Sequence, residues 1–235
     1  MTEQHSHISS RKLRTPRTAA IAGIVFGVLL IVIYTIINLN IPAVPDDTGA
    51  WLETSAGPIS MALILVPFAG IAFLWFMGVV RDRLGLLEDQ FFSTLFFGSG
   101  LLYLAMVFIG AALAGGILTA YSMNPGFVTE GGVYIFARAA MYRINNVYSI
   151  RMAGMFMFVL ATIWVRTEIM PRWMALSTYA LALLLLVSVG FLPWMTTIFP
   201  FWVLLASAYI LYLNYRYQKD DDEGSPEEEG GGSSA

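Results

Sequence analysis

"AAIAGIVFGVLLIVIYTIINL", residues 19–39, contains no charged side chain and directly follows the basic stretch "RKLRTPR" at 11–17. About 20 mostly apolar residues carry a helix across the ~30 Å hydrocarbon core of a bilayer. Only a helix satisfies all of its own backbone polar groups within such a segment. The run is longer than the 7–15 residues of a signal-peptide core, and no A-x-A cleavage pattern comes after it. It is expected to be a retained spanning helix.

Five further segments obey the same logic: 57–80, 91–121, a fourth ending near "MFMFVLATIWV" at 155–165, 172–192 and 201–217. Pro67 falls inside the second, while Pro171 and Pro200 precede the fifth and sixth. The expected fold class is all-α, a polytopic transmembrane bundle of about six spanning helices. Lys and Arg placement gives a second test, because these residues concentrate on the cytoplasmic side. With the N-terminus inside, ten of the 13 basic residues fall in cytoplasmic segments: Arg11, Lys12, Arg14, Arg17, Arg81, Arg83, Arg166, Arg172, Arg216 and Lys219. The outer loops 41–56, 122–132 and 193–199 carry no Lys or Arg, only Asp46, Asp47, Glu53 and Glu130. Both termini are therefore expected to be cytoplasmic, and the short loops without glycosylation sequons point to a bacterial plasma (inner) membrane.

Composition agrees. Apolar and aromatic residues make up 57% of the 235 residues and charged residues 12%, against about 25% charged in soluble domains. Seven of the 16 acids lie between Asp220 and Glu229, leaving nine against 13 bases, so the body of the chain is cationic at +4. Three regions are expected: a disordered basic segment 1–18, a transmembrane domain 19–217, and a disordered acidic tail 218–235. The tail joins like charges to Gly and Ser and has too little apolar surface to fold.

Amphipathic rings favour the headgroup level. Trp75, Trp164 and Trp173 are accordingly read as inner anchors, Trp194, Phe199 and Trp202 as outer ones, and Tyr212, Tyr215 and Tyr217 as anchors beside Arg216. In the turn "RDRLGLLEDQ", 81–90, Gly85 is expected as a helix C-cap and Asp89 as an N-cap.

The other three arginines stand in "GGVYIFARAAMYRINNVYSIRMAGMFMFVLATIWVRT", 131–167. Arg138, Tyr142, Asn145 and Ser149 recur at i, i+4, i+7 and i+11, which places them on one helical face. A polar stripe on an apolar helix belongs against protein or water. Arg143 and Arg151 fall on other faces. A guanidinium keeps its charge and suits phosphate or carboxylate. These six residues, Arg138, Tyr142, Arg143, Asn145, Ser149 and Arg151, are the candidate ligand site, an outer vestibule for an anionic ligand or lipid headgroup. The competing reading pairs the arginines with outer-leaflet phosphates, Glu130 or the first outer loop.

Gly110, Ala111, Ala112, Ala114, Gly115 and Gly116 give the third span a small-xxx-small pattern that permits close helix approach. That span and the acidic tail are the expected surfaces for any protein partner. The lipid bilayer is the expected surround, and no nucleic acid is expected to bind.

The chain has no Cys, and its two histidines are His5 and His7. Two ligands without a third make a weak metal site, so no metal or cofactor is expected. No nucleophile–base pair or carboxylate dyad is visible. The spans contain no Lys for retinal and no Asp, Glu or His for a proton-coupled carrier. The expectation is a non-enzymatic carrier or channel-like protein for an anionic or amphiphilic small molecule. The alternative is a structural or assembly subunit of a membrane complex.

Overall fold

The apolar runs are realised as long helices. A computed structural model describes residues 3–43, 47–84, 90–130, 132–167, 170–188 and 194–223, and all regular structure among them is helical. The elements are α1 (Glu3–Asn40), α2 (Trp51–Thr54), α3 (Ala56–Leu84), α4 (Gln90–Met123), α5 (Pro125–Glu130), α6 (Val133–Arg143), a π-helical segment (Ile144–Ser149), α7 (Ile150–Thr167), α8 (Arg172–Val187) and α9 (Met195–Glu223). Five stretches are long and apolar enough to cross a membrane: Thr18–Asn40, Ala56–Arg81, Gln90–Met123, Val133–Thr167 and Met195–Leu213.

α1 is the hub, packing most extensively on α3 and α9, while α7 lies between α4 and α8. Two glycines one turn apart allow the tightest of these approaches. A Cβ on Gly27 would stand 2.8 Å from Leu204 Cβ and 2.9 Å from the Pro200 carbonyl. One on Gly23 would collide with the Ser207 hydroxyl, which fills the notch that Gly23 leaves. This Gly-x-x-x-Gly spacing in an apolar helix is a close-packing device. It is used here within the chain.

Phe73 of α3 is the centre of the core. Its ring lies 4.5 Å from that of Phe26, 5.7 Å from Tyr103, 5.6 Å from Phe156 and 5.8 Å from Phe199, joining α1, α3, α4, α7 and α9. Tilted and edge-on rings at these separations attract beyond their buried area. At one end of the bundle, Arg81 stacks over Phe97 at 4.9 Å and Arg166 over Phe92 at 4.4 Å. These contacts bring the ends of α3 and α7 to the start of α4.

Several boundaries differ from the sequence expectation. The run 172–192 yields a helix of only 16 residues, α8, about 24 Å long at 1.5 Å per residue. It ends where Ser188 turns to an extended φ/ψ of −62°/135°. α9 begins at Met195 and continues through Pro200, so most of the expected outer loop 193–199 is helix. Phe199 and Trp202, and likewise Trp164 among the expected inner anchors, are buried rather than at a surface. Trp202 meets Trp164 at 5.8 Å, and its indole N–H donates to Thr178 Oγ1 at 3.0 Å. Trp75, Trp173, Trp194, Tyr212 and Tyr215 are exposed.

α1 starts at Glu3 and α9 runs to Glu223, beyond the boundaries expected at residues 18 and 218. Once a helix is nucleated, each added residue brings a hydrogen bond at little cost. Asp46, Gly85, Asp89 and the tail beyond Glu223 lie outside the described residues, as do the side chains of His5, His7 and Glu130.

Candidate functional site

The end of the bundle away from Arg81 and Arg166 is capped by the chain between α1 and α3. Asp47 builds that cap. Its Oδ1 accepts from the Gly49 backbone N–H at 2.9 Å, closing a turn in which Gly49 takes a φ of +76°. Only glycine adopts that angle without steric cost. The turn delivers Trp51 and Leu52 of α2 into a second apolar cluster with Ile41, Ile59, Ala114, Ile117, Val128, Tyr134 and Met141.

Polar groups bind this cap to α6. The Trp51 indole N–H donates to Tyr134 Oη at 2.8 Å, and Tyr134 Oη donates to Asp47 Oδ1. Arg138, one turn after Tyr134, donates from Nε to Asp47 Oδ2 at 2.9 Å and from Nη2 to the Pro42 carbonyl. Burial alone would raise the Asp47 carboxyl. Hydrogen bonds from Tyr134, the Gly49 amide and Arg138, together with the Arg138 charge, outweigh it and hold Asp47 below the ordinary 3.8.

Beneath the cap lies a cavity of about 210 Å³ between α1, α3, α4, α6, the π-helical segment and the start of α9. Ile33, Ile37, Ile41, Leu63, Val66 and Val107 are among its apolar walls, while Tyr34, Asn38, Arg138, Tyr142, Asn145, Asn146 and Thr196 bring polar atoms to it. Small residues of α4, namely Gly110, Ala111 and Ala114, form the wall facing the π-helical segment. Gly110 is needed there, since a Cβ would stand 2.5 Å from the Asn145 side-chain oxygen and nitrogen.

α6, the π-helical segment and α7 form one continuous 35-residue stretch, Val133–Thr167. The π-helical segment widens one turn by about a residue and shifts the helical phase of the residues beyond it. Asn145 and Asn146, three and four residues after Tyr142, share its face and line the cavity with it, and Asn146 Nδ2 donates back to the Tyr142 carbonyl at 3.2 Å.

The six residues proposed from sequence are thereby divided. Arg138, Tyr142 and Asn145 line the cavity. Ser149 is buried one step deeper, in a closely packed seam with Tyr103, Met195, Thr196 and Phe199. Arg143 is exposed and Arg151 half-buried, and neither lines the cavity. Arg138 is 2% exposed and pairs with the first loop through Asp47.

The sequence reading missed Tyr34, Asn38, Asn146 and Thr196. For Tyr34 and Asn38 a signal was present: two hydrogen-bonding side chains at i, i+4 within an apolar span belong on a protein-facing side.

This fold and cavity define a class, an all-helical bundle suited to a membrane, with a capped and partly polar cavity near one end. No family model, curated protein or solved structure matches the chain.

Proposed function

We propose that the protein is a non-enzymatic membrane carrier or channel-like protein that admits a small amphiphilic molecule to the cavity beneath the Asp47 cap. The observation carrying this reading is the cavity itself, apolar on α3 and α4 and polar along α6, the π-helical segment and Tyr34 and Asn38 of α1. Ligand sites commonly combine apolar walls with a few convergent polar groups.

The same reading has six crossings, both termini cytoplasmic and a bacterial plasma membrane as the setting. In support, Tyr179 bonds to Thr162 while Gly154 abuts Ala182, Leu185 and Leu186, so α8 runs antiparallel to α7. Phe156 meets Phe199 and Trp164 meets Trp202, so α9 runs parallel to α7. α8 thus serves as the return crossing despite its length. Arg81 and Arg166 mark the cytoplasmic end.

The alternative, an assembly subunit, draws on the split of the α4 pattern. Gly110 and Ala114 face inward, whereas Ala112 and Gly116 are exposed.

Native mass spectrometry of protein released from nanodiscs tests the main reading. A small-molecule adduct is expected on the wild type and should be lost in Ala111→Phe, which fills the cavity. An adduct equally retained by both would overturn the assignment to this site, and unliganded wild type that also takes up no added amphiphile would overturn the function.

A further inference from the structure

We infer that the cavity's occupant is an uncharged amphiphile whose polar end accepts hydrogen bonds, a ketone, ester, amide or quinone-type carbonyl on an apolar body, rather than an anion. This rests on the amphiphile reading above and narrows it.

Two side chains carry the argument. Asn38 Nδ2 is buried without a hydrogen-bond partner, and Tyr34 Oη makes no well-formed hydrogen bond, with the hydroxyls of Tyr103 and Ser149 close to it at the deep end. Tyr34 and Asn38 both line the cavity. Tyr34 is only 6% exposed. Nearly all buried polar groups in native proteins are hydrogen-bonded, and an unmet donor in an apolar setting is costly. Spaced i, i+4, the two lie on one face of α1. Both can donate, and a carbonyl oxygen has two lone pairs to receive them.

Charge points the same way. Among the described residues, Arg138 is the one Lys, Arg, Asp, Glu or His in the cavity wall, and its charge is met by Asp47 at 2.9 Å. An anion entering beside this neutral pair would leave an uncompensated negative charge in a poorly solvated space, which is strongly disfavoured. A neutral acceptor meets no such barrier. Ile33, Ile37, Leu63, Val66 and Val107 then receive the hydrocarbon. At about 210 Å³ the space exceeds the ~150 Å³ cavity known to take up benzene, enough for a ring or short chain behind the head.

The test is equilibrium dialysis of labelled 2-nonanone against protein in nanodiscs, with empty nanodiscs subtracting bilayer partition and with nonanoate and nonane as competitors. Saturable ketone binding is expected, with both competitors at least about tenfold weaker. Tyr34→Phe and Asn38→Leu should each weaken the ketone roughly three- to tenfold and leave nonane unchanged. Nonanoate binding more tightly than the ketone would overturn the inference while leaving an anion site. Nonane matching the ketone, with Tyr34→Phe silent, would overturn it while leaving an apolar cavity. No saturable binding of any of the three would overturn the amphiphile reading itself.

Discussion

Arg138 Nε stands 2.9 Å from Asp47 Oδ2, a contact that spans 91 residues of sequence and ties the first connecting segment to α6. Both side chains are largely removed from solvent. A buried ion pair is a weak source of net stability, but removing one partner strands the other, at about 3–5 kcal/mol. Asp47→Ala is therefore expected to cost about 3 kcal/mol, because Arg138 is the more deeply buried partner. The double variant Asp47→Leu with Arg138→Leu should cost less than the two single losses combined. Unfolding in detergent, tracked by tryptophan fluorescence, checks both. A melting temperature for Asp47→Ala indistinguishable from wild type would show that the pair does not hold the cap.

The same carboxylate sets a pH dependence. The folded protein holds Asp47 below the ordinary 3.8, so the unfolded chain binds its proton more readily than the folded one. Its contribution is present in full above the unfolded value and is lost as pH falls through the lower, folded one. Stability attributable to Asp47 should be flat from neutral pH to about pH 5 and fall below about 3.8. Asp47→Asn should be less stable at neutral pH and lose that acid-side slope. A difference between wild type and Asp47→Asn that stayed constant down to about pH 3 would contradict the assignment.

The spans were legible because hydrocarbon imposes a blunt rule: about 20 uncharged residues in succession leave few structures open. The unusual chemistry of residues 138–149 was legible for a related reason, since arginine and asparagine stand out in an apolar setting. The division of those residues was not. "INNVYS", 144–149, has the composition of an ordinary helix, yet it forms a π-helical turn where the Asn145 side chain packs against Gly110 of α4. A straight-helix phase put Ser149 level with Asn145, whereas it lies in the packed seam beyond the cavity. Asn146, one turn after Tyr142 and on its face, was passed over. The partner of Arg138 was equally hidden, since four outer acids were available and loop geometry selected Asp47. Phe199 and Trp202 misled because Pro200 resembles a helix start. Instead, it stands within α9.

The glycines of α4 separate two roles. A Cβ on Gly110 would press on the Asn145 amide at 2.5 Å, whereas Gly116 faces open space. Gly110→Ala should cost about 1–3 kcal/mol through overpacking and push Asn145 into the cavity, lowering ligand uptake. Gly116→Ala should leave stability within about 0.5 kcal/mol or raise it slightly. Thermal melts with matched binding measurements check the pair. Equal losses for the two would mean that the α4 wall is not fitted to the π-helical segment. Gly27→Ala, against Leu204 and the Pro200 carbonyl, should resemble Gly110→Ala in stability alone.

The threading of the chain is the remaining prediction. Because the chain contains no Cys, a single introduced thiol reports one position without background. Glu53 and Thr129 stand near the capped end, and Arg81 and Arg216 at or beyond the other, where both are exposed. With arginine-bearing ends retained in the cytoplasm, Glu53→Cys and Thr129→Cys should react with a membrane-impermeant maleimide on intact cells. Arg81→Cys and Arg216→Cys should react only after permeabilisation. Arg216 decides whether α8 crosses. If α8 merely rested within the bundle without crossing, the number of crossings would be odd and Arg216 would lie on the same side as Glu53. Labelling of Arg216→Cys on intact cells would therefore reject the six-crossing topology, and labelling of Arg81→Cys there would reverse the whole orientation.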